Sequence, residues 1–282
     1  MLIFTNQTDL IKYLQAILDR KATIGFVPTM GALHNGHLSL LERSMLQNEY
    51  TVISIFVNPT QFNNLKDLEK YPKTLDSDIE KVEKLSKEII IFAPSVNDIY
   101  EGKTISESFD YDGLENKMEG KHRFGHFDGV GTIVKKLFEI VQPTKAYFGE
   151  KDFQQLQIVK KLVEKRNLNV EIIGIPIFRE NNGLAMSSRN ERLSDSEKDK
   201  AAIIFRILNQ SKIFFGTKSA NEVAKWVENQ FKKQEDFSLE YFEIAEESTL
   251  ETCFRKNKNK KYRAFIAVFV NEIRLIDTIS LN

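Results

Sequence analysis

Cysteine is almost absent from this chain: Cys253 is the only one in 282 residues. A single thiol excludes an intramolecular disulfide and a zinc site built on four cysteines, and it suits a reducing compartment. Net charge is lacking as well, with 40 basic side chains against 40 acidic ones and a pI near 6.9. With no global field, attraction to nucleic acid or to an acidic membrane is not expected. No apolar run approaches the roughly 20 residues that span a bilayer. The opening Met1-Leu-Ile-Phe-Thr5 has neither the basic start nor the apolar stretch of a secretory signal. The expectation is therefore a soluble cytoplasmic protein. Apolar residues, in contrast, make up 41% of the chain and include 21 Phe and 8 Tyr, enough for a buried core and too many for disorder. Length alone suggests one or two domains at roughly 150 residues each.

Through the first two-thirds, short β-rich runs alternate with amphipathic helices. Ala22–Val27, Thr51–Val57, Glu88–Phe92, Lys145–Phe148 and Val170–Phe178 are rich in Ile, Val and Phe and read as buried parallel strands. Between them, Val130, Ile133, Val134, Leu137, Phe138 and Val141 fall at helical spacing, as do Leu75, Ile79, Val82 and Leu85. This alternation predicts a Rossmann-like α/β fold with a doubly wound parallel sheet. After about residue 178 the pattern changes. Ser194-Asp-Ser-Glu197 opens a helix through about Phe214 with a capping box, and a second helix covers Ala220–Lys232. Strands at Ser238–Ala245, Tyr262–Val270 and Ile273–Ile279 then complete a smaller α+β domain. The expected division is 1–177 and 178–282. The basic run at residues 255–263 reads as a solvated hairpin loop.

The most informative stretch is Pro28-Thr-Met-Gly-Ala-Leu-His34-Asn-Gly36-His37, which leads from the first of these strands into a helix. Such a loop binds nucleotides in α/β folds, because exposed backbone N–H groups at a helix N-terminus attract phosphate. Gly31 and Gly36 permit close backbone approach. His34 and His37, three residues apart, share a helical face and could donate hydrogen bonds to phosphate as charge develops. The competing readings are that they cap the helix or ligate a metal, although H-x-G-H lacks the glutamate of the H-E-x-x-H zinc motif.

This segment resembles the first motif of the pantothenate synthetase (pantoate–β-alanine ligase) family, within the H-x-G-H nucleotidylyltransferase superfamily. Further segments carry the resemblance in family order: Phe56-Val-Asn58-Pro-Thr-Gln61-Phe62, Tyr71-Pro-Lys-Thr-Leu75, Phe148-Gly-Glu-Lys-Asp-Phe-Gln-Gln-Leu156 and Gly183-Leu-Ala-Met-Ser-Ser-Arg-Asn190. The resemblance implies an ATP-dependent ligase, with Mg²⁺, that joins pantoate to β-alanine through a pantoyl adenylate. It also implies a homodimer.

By the same resemblance, ATP is bound by Met30, Gly31, Ala32, Leu33, His34, Asn35, Gly36 and His37 and by Gly149, Glu150, Lys151 and Asp152. Phe178, Met186, Ser187, Ser188 and Arg189 complete that set. His37, His34 and Lys151 are the expected catalytic residues, with His37 the proton donor. Lys151 suits a phosphate as a compact positive charge. Met186 to Arg189 resembles a loop that closes over phosphates, and Phe178 is expected to offer its backbone to adenine. Gln61 and Gln155 are the expected pantoate clamps, since an amide both donates and accepts. Gln61 is also placed near β-alanine, and Asn58 is read as a further polar contact. Glu119, Arg123 and Tyr71 have supporting positions, the first two as a pair shaping the pocket. His122 and His126 read as structural.

The family's acidic pair reads Ser77-Asp78 here, and Lys73 replaces an arginine. Asp78 or Asp76 is then the candidate Mg²⁺ ligand, unless ATP phosphates hold the metal. Two rival readings are a sister nucleotidylyltransferase acting on a phosphate-bearing substrate and a noncatalytic nucleotide- or RNA-binding module. The glutamine loops disfavour the first; the retained histidines and neutral charge disfavour the second.

Overall fold

The computed structural model describes residues 1–282, the side chain of residue 65 excepted. Six parallel strands form one sheet: β1 (Leu2–Phe4), β2 (Ile24–Thr29), β3 (Tyr50–Ile55), β4 (Ile90–Phe92), β5 (Lys145–Gly149) and β6 (Glu171–Ile175). Their spatial order is β1-β4-β3-β2-β5-β6. The strands alternate between two cores, as a pleated strand covered on both faces must. Ile24, Phe26, Val52, Ile90 and Phe92 face one apolar cluster; Val27, Ile53, Ile55 and Ile91 face the other. The first cluster is closed by α1 (Gln7–Leu18), α7 (His126–Val141) and α8 (Phe153–Arg166), and the second by α2 (Asn35–Gln47) and α4 (Leu75–Leu85).

The chain order reverses at β2, whose neighbours are β3 on one side and β5 on the other. A crevice is expected beyond the carboxyl ends of strands at such a point. Pairing of β2 with β5 ends at Phe26, two residues before Pro28, which has no N–H to continue a ladder. Short helices α3 (Leu65–Glu69), α5 (Val96–Tyr100) and α6 (Met118–His122) fill the connections around the crevice.

The remaining chain forms α9 (Asp195–Ala201), α10 (Ile203–Thr217) and α11 (Ala220–Phe231), packed on an antiparallel sheet β7 (Phe237–Glu246), β8 (Tyr262–Val270) and β9 (Ile273–Ser280). It has its own apolar cluster, which contains Cys253. The expected fold class holds. Among the elements that differ from expectation, the helix opening at Ser194 is divided at Ala202, the strand read as Val170–Phe178 ends at Ile175, α1 was not foreseen, and β1, only three residues long, carries too little pattern to be read. The basic run is only partly solvated, for Arg263 is buried and its guanidinium contacts Glu150 and Glu247 at 3.2 and 3.1 Å.

Candidate active site

The crevice beyond β2 and β5 is lined by four of the residues expected from the first motif: Met30, His34, Gly36 and His37. The two histidines resolve the competing readings in an informative way, because they cap α2 while lining the cleft. The Nδ1 of His34 accepts from the Gly36 N–H at 3.1 Å, and the Nδ1 of His37 accepts from the His34 N–H at 3.3 Å. With both Nδ1 atoms acting as acceptors, each neutral ring must carry its proton on Nε2. The rings lie 4.0 Å apart between centroids. Burial, followed by the charges of His37, Lys151 and Lys81, lowers the pKa of His34 to about 2. Burial, then Lys151 and Lys81, lowers that of His37 to about 4. Both rings are therefore neutral hydrogen-bond donors at pH 7.

Two backbone N–H groups of this motif, those of Ala32 and Leu33, are otherwise employed. Gly31 and Ala32 adopt left-handed backbone, with φ of 84° and 48°. For alanine this conformation costs about 1–2 kcal/mol. The turn they make aims the consecutive N–H groups of Ala32 and Leu33 at one anion, a nest. Its occupant is Asp78, completely buried, whose two carboxylate oxygens accept from the Ala32 N–H at 2.9 Å and the Leu33 N–H at 2.7 Å. Gly31, Ala32 and Leu33 accordingly lie behind the cleft wall, and Asn35 is exposed outside it. Asp78 faces the loop and not the solvent, while Asp76 and Ser77 are exposed on α4. This corrects the expectation that Asp78 is available as a metal ligand. Among the described residues, no three His, Cys, Asp or Glu side chains are grouped to hold a metal.

The second wall is charged. Lys151 and Asp152, 3.4 Å apart, follow β5 with Gly149 and line the cleft. The Glu150 side chain is paired with Arg263 at 3.2 Å. Ser187 and Arg189 reach the cleft from the short 3-10 helix Ser188–Arg192 and the residue before it. Arg189 is paired with Asp67 of α3 at 2.7 Å, and Arg192 approaches the same carboxylate at 3.4 Å. The Ser188 hydroxyl donates to the Ala32 carbonyl at 3.0 Å, so it ties the two motif loops together rather than standing free for phosphate. Phe178 lies at the cleft with Met186, and its carbonyl accepts from the Met186 N–H at 3.0 Å.

The two glutamines are not equivalent. Gln61 is buried, its Oε1 accepting from Asn58 at 3.1 Å and its Nε2 pointing at the Met30 sulfur at 2.7 Å. Asn58 in turn donates to the Gly129 carbonyl and accepts from the Tyr100 hydroxyl at 2.6 Å. It lines the same cleft and positions Gln61. Gln155 lines the same cleft from α8, and no side-chain partner is found for it among the described residues. Its neighbour Gln154 is buried in structural bonds to Glu119 N–H and to the carbonyls of Leu114 and Lys117.

Tyr71 is buried in the cleft wall, where burial raises its pKa. Glu119 and Arg123 lie beside the adjoining pocket, but the expected pair is loose at 3.8 Å. The main partner of Glu119 is Arg274 of β9, which grips both carboxylate oxygens at 2.8 Å, while the Tyr241 hydroxyl donates at 2.7 Å. Burial pushes the Glu119 carboxyl up, yet Arg274, Tyr241 and Arg123 outweigh it and hold the pKa at about 2. Arg123 instead contacts His126 at 3.1 Å and the Gln61 carbonyl at 3.3 Å. His126 also bonds that carbonyl through Nδ1 at 2.8 Å, in keeping with a structural role. Arg274, Tyr241, Asp67 and Lys81 were not foreseen. None lies in a recognisable motif, and only an alternating strand pattern could have placed Arg274 and Tyr241 on faces of their sheet.

Known proteins match this chain over its full length. A relative from Flavobacterium psychrophilum, a pantothenate synthetase, is 68% identical over 281 residues and all of both chains. One from Christiangramia forsetii with the same name is 53% identical, again over the whole of both chains. The crystal structure of pantothenate synthetase from Thermus thermophilus superposes with a TM-score of 0.91 at 36% identity, covering 100% of this chain and 99% of that one. A pantoate–β-alanine ligase from Francisella tularensis, complexed with β-γ ATP and β-alanine, gives 0.83 at 35% identity and covers 100% and 98%. The family model for pantoate–β-alanine ligase matches residues 2–280. With matches of that extent, and with the H-x-G-H loop, the paired glutamines and the charged wall around one crevice, the chain belongs to the pantoate–β-alanine ligase family.

Proposed function

We propose that this chain condenses pantoate with β-alanine at the expense of ATP, forming pantothenate. A carboxylate does not yield its oxygen to an amine unaided. Attack of the pantoate carboxylate on the α-phosphorus makes the acyl adenylate and expels pyrophosphate. The β-alanine amine then attacks the adenylate carbonyl, loses a proton and expels AMP. The observation that carries this reading is the composition of the cleft. Two neutral histidines, the Lys151 ammonium and the Gln155 amide line one cleft, and the only thiol lies in the core of the C-terminal part. Such a site lowers the barrier by positioning and by stabilising developing charge, without a covalent enzyme intermediate.

In this reading His34, His37 and Lys151 meet the phosphates, and Arg189 exchanges Asp67 for the departing pyrophosphate. Gly36, Gly149 and Ser187 allow the nucleotide close to backbone, Asp152 meets the ribose, and Met30, Phe178 and Met186 border the base. Gln155 and Gln61 grip the pantoate hydroxyls and carboxylate, with β-alanine arriving beside Gln61. His37 serves as a hydrogen-bond donor and not as an imidazolium acid. Mg²⁺ fits the site only as an ion carried by ATP phosphates, with Asp152 the carboxylate that lines the cleft. It would supply charge neutralisation there. Residues 178–282 are the unit that closes over ATP. A homodimer and a cytoplasmic location are read from the family alone.

The test is exchange of labelled pyrophosphate into ATP with Mg²⁺, with and without pantoate and without β-alanine. Exchange that requires pantoate supports the adenylate half-reaction; ATP binding with no exchange in either case rejects it.

A further inference from the structure

We propose that Asp78, assisted by Lys81, is the positioning residue of the H-x-G-H loop: its carboxylate is the resident anion of the nest at Ala32 and Leu33, and it orients the histidine rings instead of holding a metal. This deepens the reading above and rests on it.

The geometry is a clamp with two jaws. From α4, the Asp78 oxygens take the N–H groups of Ala32 and Leu33, and Lys81 donates to the Leu33 carbonyl at 2.7 Å. From the opposite side, the Ser188 hydroxyl donates to the Ala32 carbonyl. The peptide groups just before His34 are thus fixed from both sides. His34 is the N-cap of α2, and its own N–H orients His37 through Nδ1. A shift at residue 33 therefore passes directly into both rings.

Asp78 is itself held by the Thr74 hydroxyl at 3.2 Å, and it sits in the first turn of α4, where the helix dipole favours negative charge. Its carboxylate is sealed from solvent. Mg²⁺ binds reluctantly without several of its waters, and this carboxylate offers no room for them. Gly31 adds a steric reason for the arrangement, because a Cβ there would come within 3.2 Å of the Asp78 carboxylate.

The test is Asp78→Asn, which keeps the shape but presents an NH₂ to one of the two loop N–H groups. The pantoate-dependent exchange rate is expected to fall about 10-fold or more, the scale of a small misplacement, while KM for pantoate stays within about twofold. The Mg²⁺ concentration for half-maximal rate at fixed ATP should not change. Nitrogen NMR of the imidazoles should show Nε2–H tautomers for both histidines in the native protein and a mixture in the variant. Lys81→Met, which removes only the outer bond, should act in the same direction more weakly, and it decides the matter if Asp78→Asn does not fold. Native exchange rates in both variants would overturn the proposal. So would a raised Mg²⁺ requirement with unchanged tautomers, which would make Asp78 a metal ligand. If the native protein shows no exchange, the ligase reading fails, whereas the tautomer measurement still judges the clamp.

Discussion

The two walls of the cleft are built on opposite principles. The wall of β2, α2 and the turn after β3 is neutral where it meets ligand, and its donors are fixed by buried bonds. His34 and His37 are locked through Nδ1, Gln61 is tied to Asn58 and Met30, and Asp78 braces the loop from beneath. The wall of Lys151, Asp152 and Arg189 is charged, and its ion pairs are partly open to solvent. Buried bonds keep geometry but cannot be exchanged cheaply, because a lost partner leaves a desolvated group unpaired. Exposed ion pairs are worth little and trade partners readily. One wall therefore supplies orientation, and the other a positive charge that can change partners during turnover.

The largest effect that would break this contrast lies on the neutral wall. His37→Ala should reduce pantoate-dependent exchange by about 10²–10³, the scale of a lost transition-state donor. A near-native single-turnover rate would remove the role given to it. Because both rings stay neutral down to about 4 and about 2, kcat/KM for ATP should show no histidine limb between about pH 5 and 8. A limb near the ordinary histidine pKa that disappears in His37→Ala would contradict the neutral assignment.

Next comes the inter-unit pair. Arg274→Met should destabilise the fold by about 3 kcal/mol, since it strands a buried carboxylate. Denaturant unfolding of the variant measures this directly. The sign with pH follows from the depressed Glu119 pKa: its contribution is complete above the ordinary value of 4.5 and is lost as pH falls toward about 2. Native protein should lose stability across that window by more than Arg274→Met does.

A smaller effect separates the glutamines. Gln155→Ala should raise KM for pantoate about tenfold, equivalent to about 1.4 kcal/mol, with stability and ATP affinity nearly unchanged. Gln61→Ala should cost stability as well, because it leaves one buried N–H of the Asn58 amide without its partner. Equal stability in the two variants would erase the distinction between a free and a tied amide. The smallest effect is expected at Asp67→Asn, with less than about 1 kcal/mol on stability and a modest gain in ATP affinity as Arg189 is released. A large loss in either would mean that the pair is structural.

Much of the fold and part of the site were legible in the sequence. Parallel strands buried on both faces leave continuous Ile, Val and Phe runs, and amphipathic helices repeat at 3.6 residues, so both patterns are local. The motif loops could be read because each places its chemistry within a few consecutive residues. His34, His37, Lys151, Gln61, Gln155 and Arg189 reach one cleft as expected. What could not be read is which polar atoms are free. Gly31 to Leu33 belong to the motif, yet the N–H groups of Ala32 and Leu33 serve a carboxylate some 45 residues onward. Glu150, Asn58 and Ser188 also stand in motif loops and are consumed by structural bonds. Arg274 reaches Glu119 across 155 positions of chain. The sequence by itself determined the element types, the crevice and the residue classes around it, because periodicity and loop chemistry act over short range. Only the tertiary structure decided which donors remain for a ligand, because each buried polar group must find a partner wherever the fold brings one within about 3 Å.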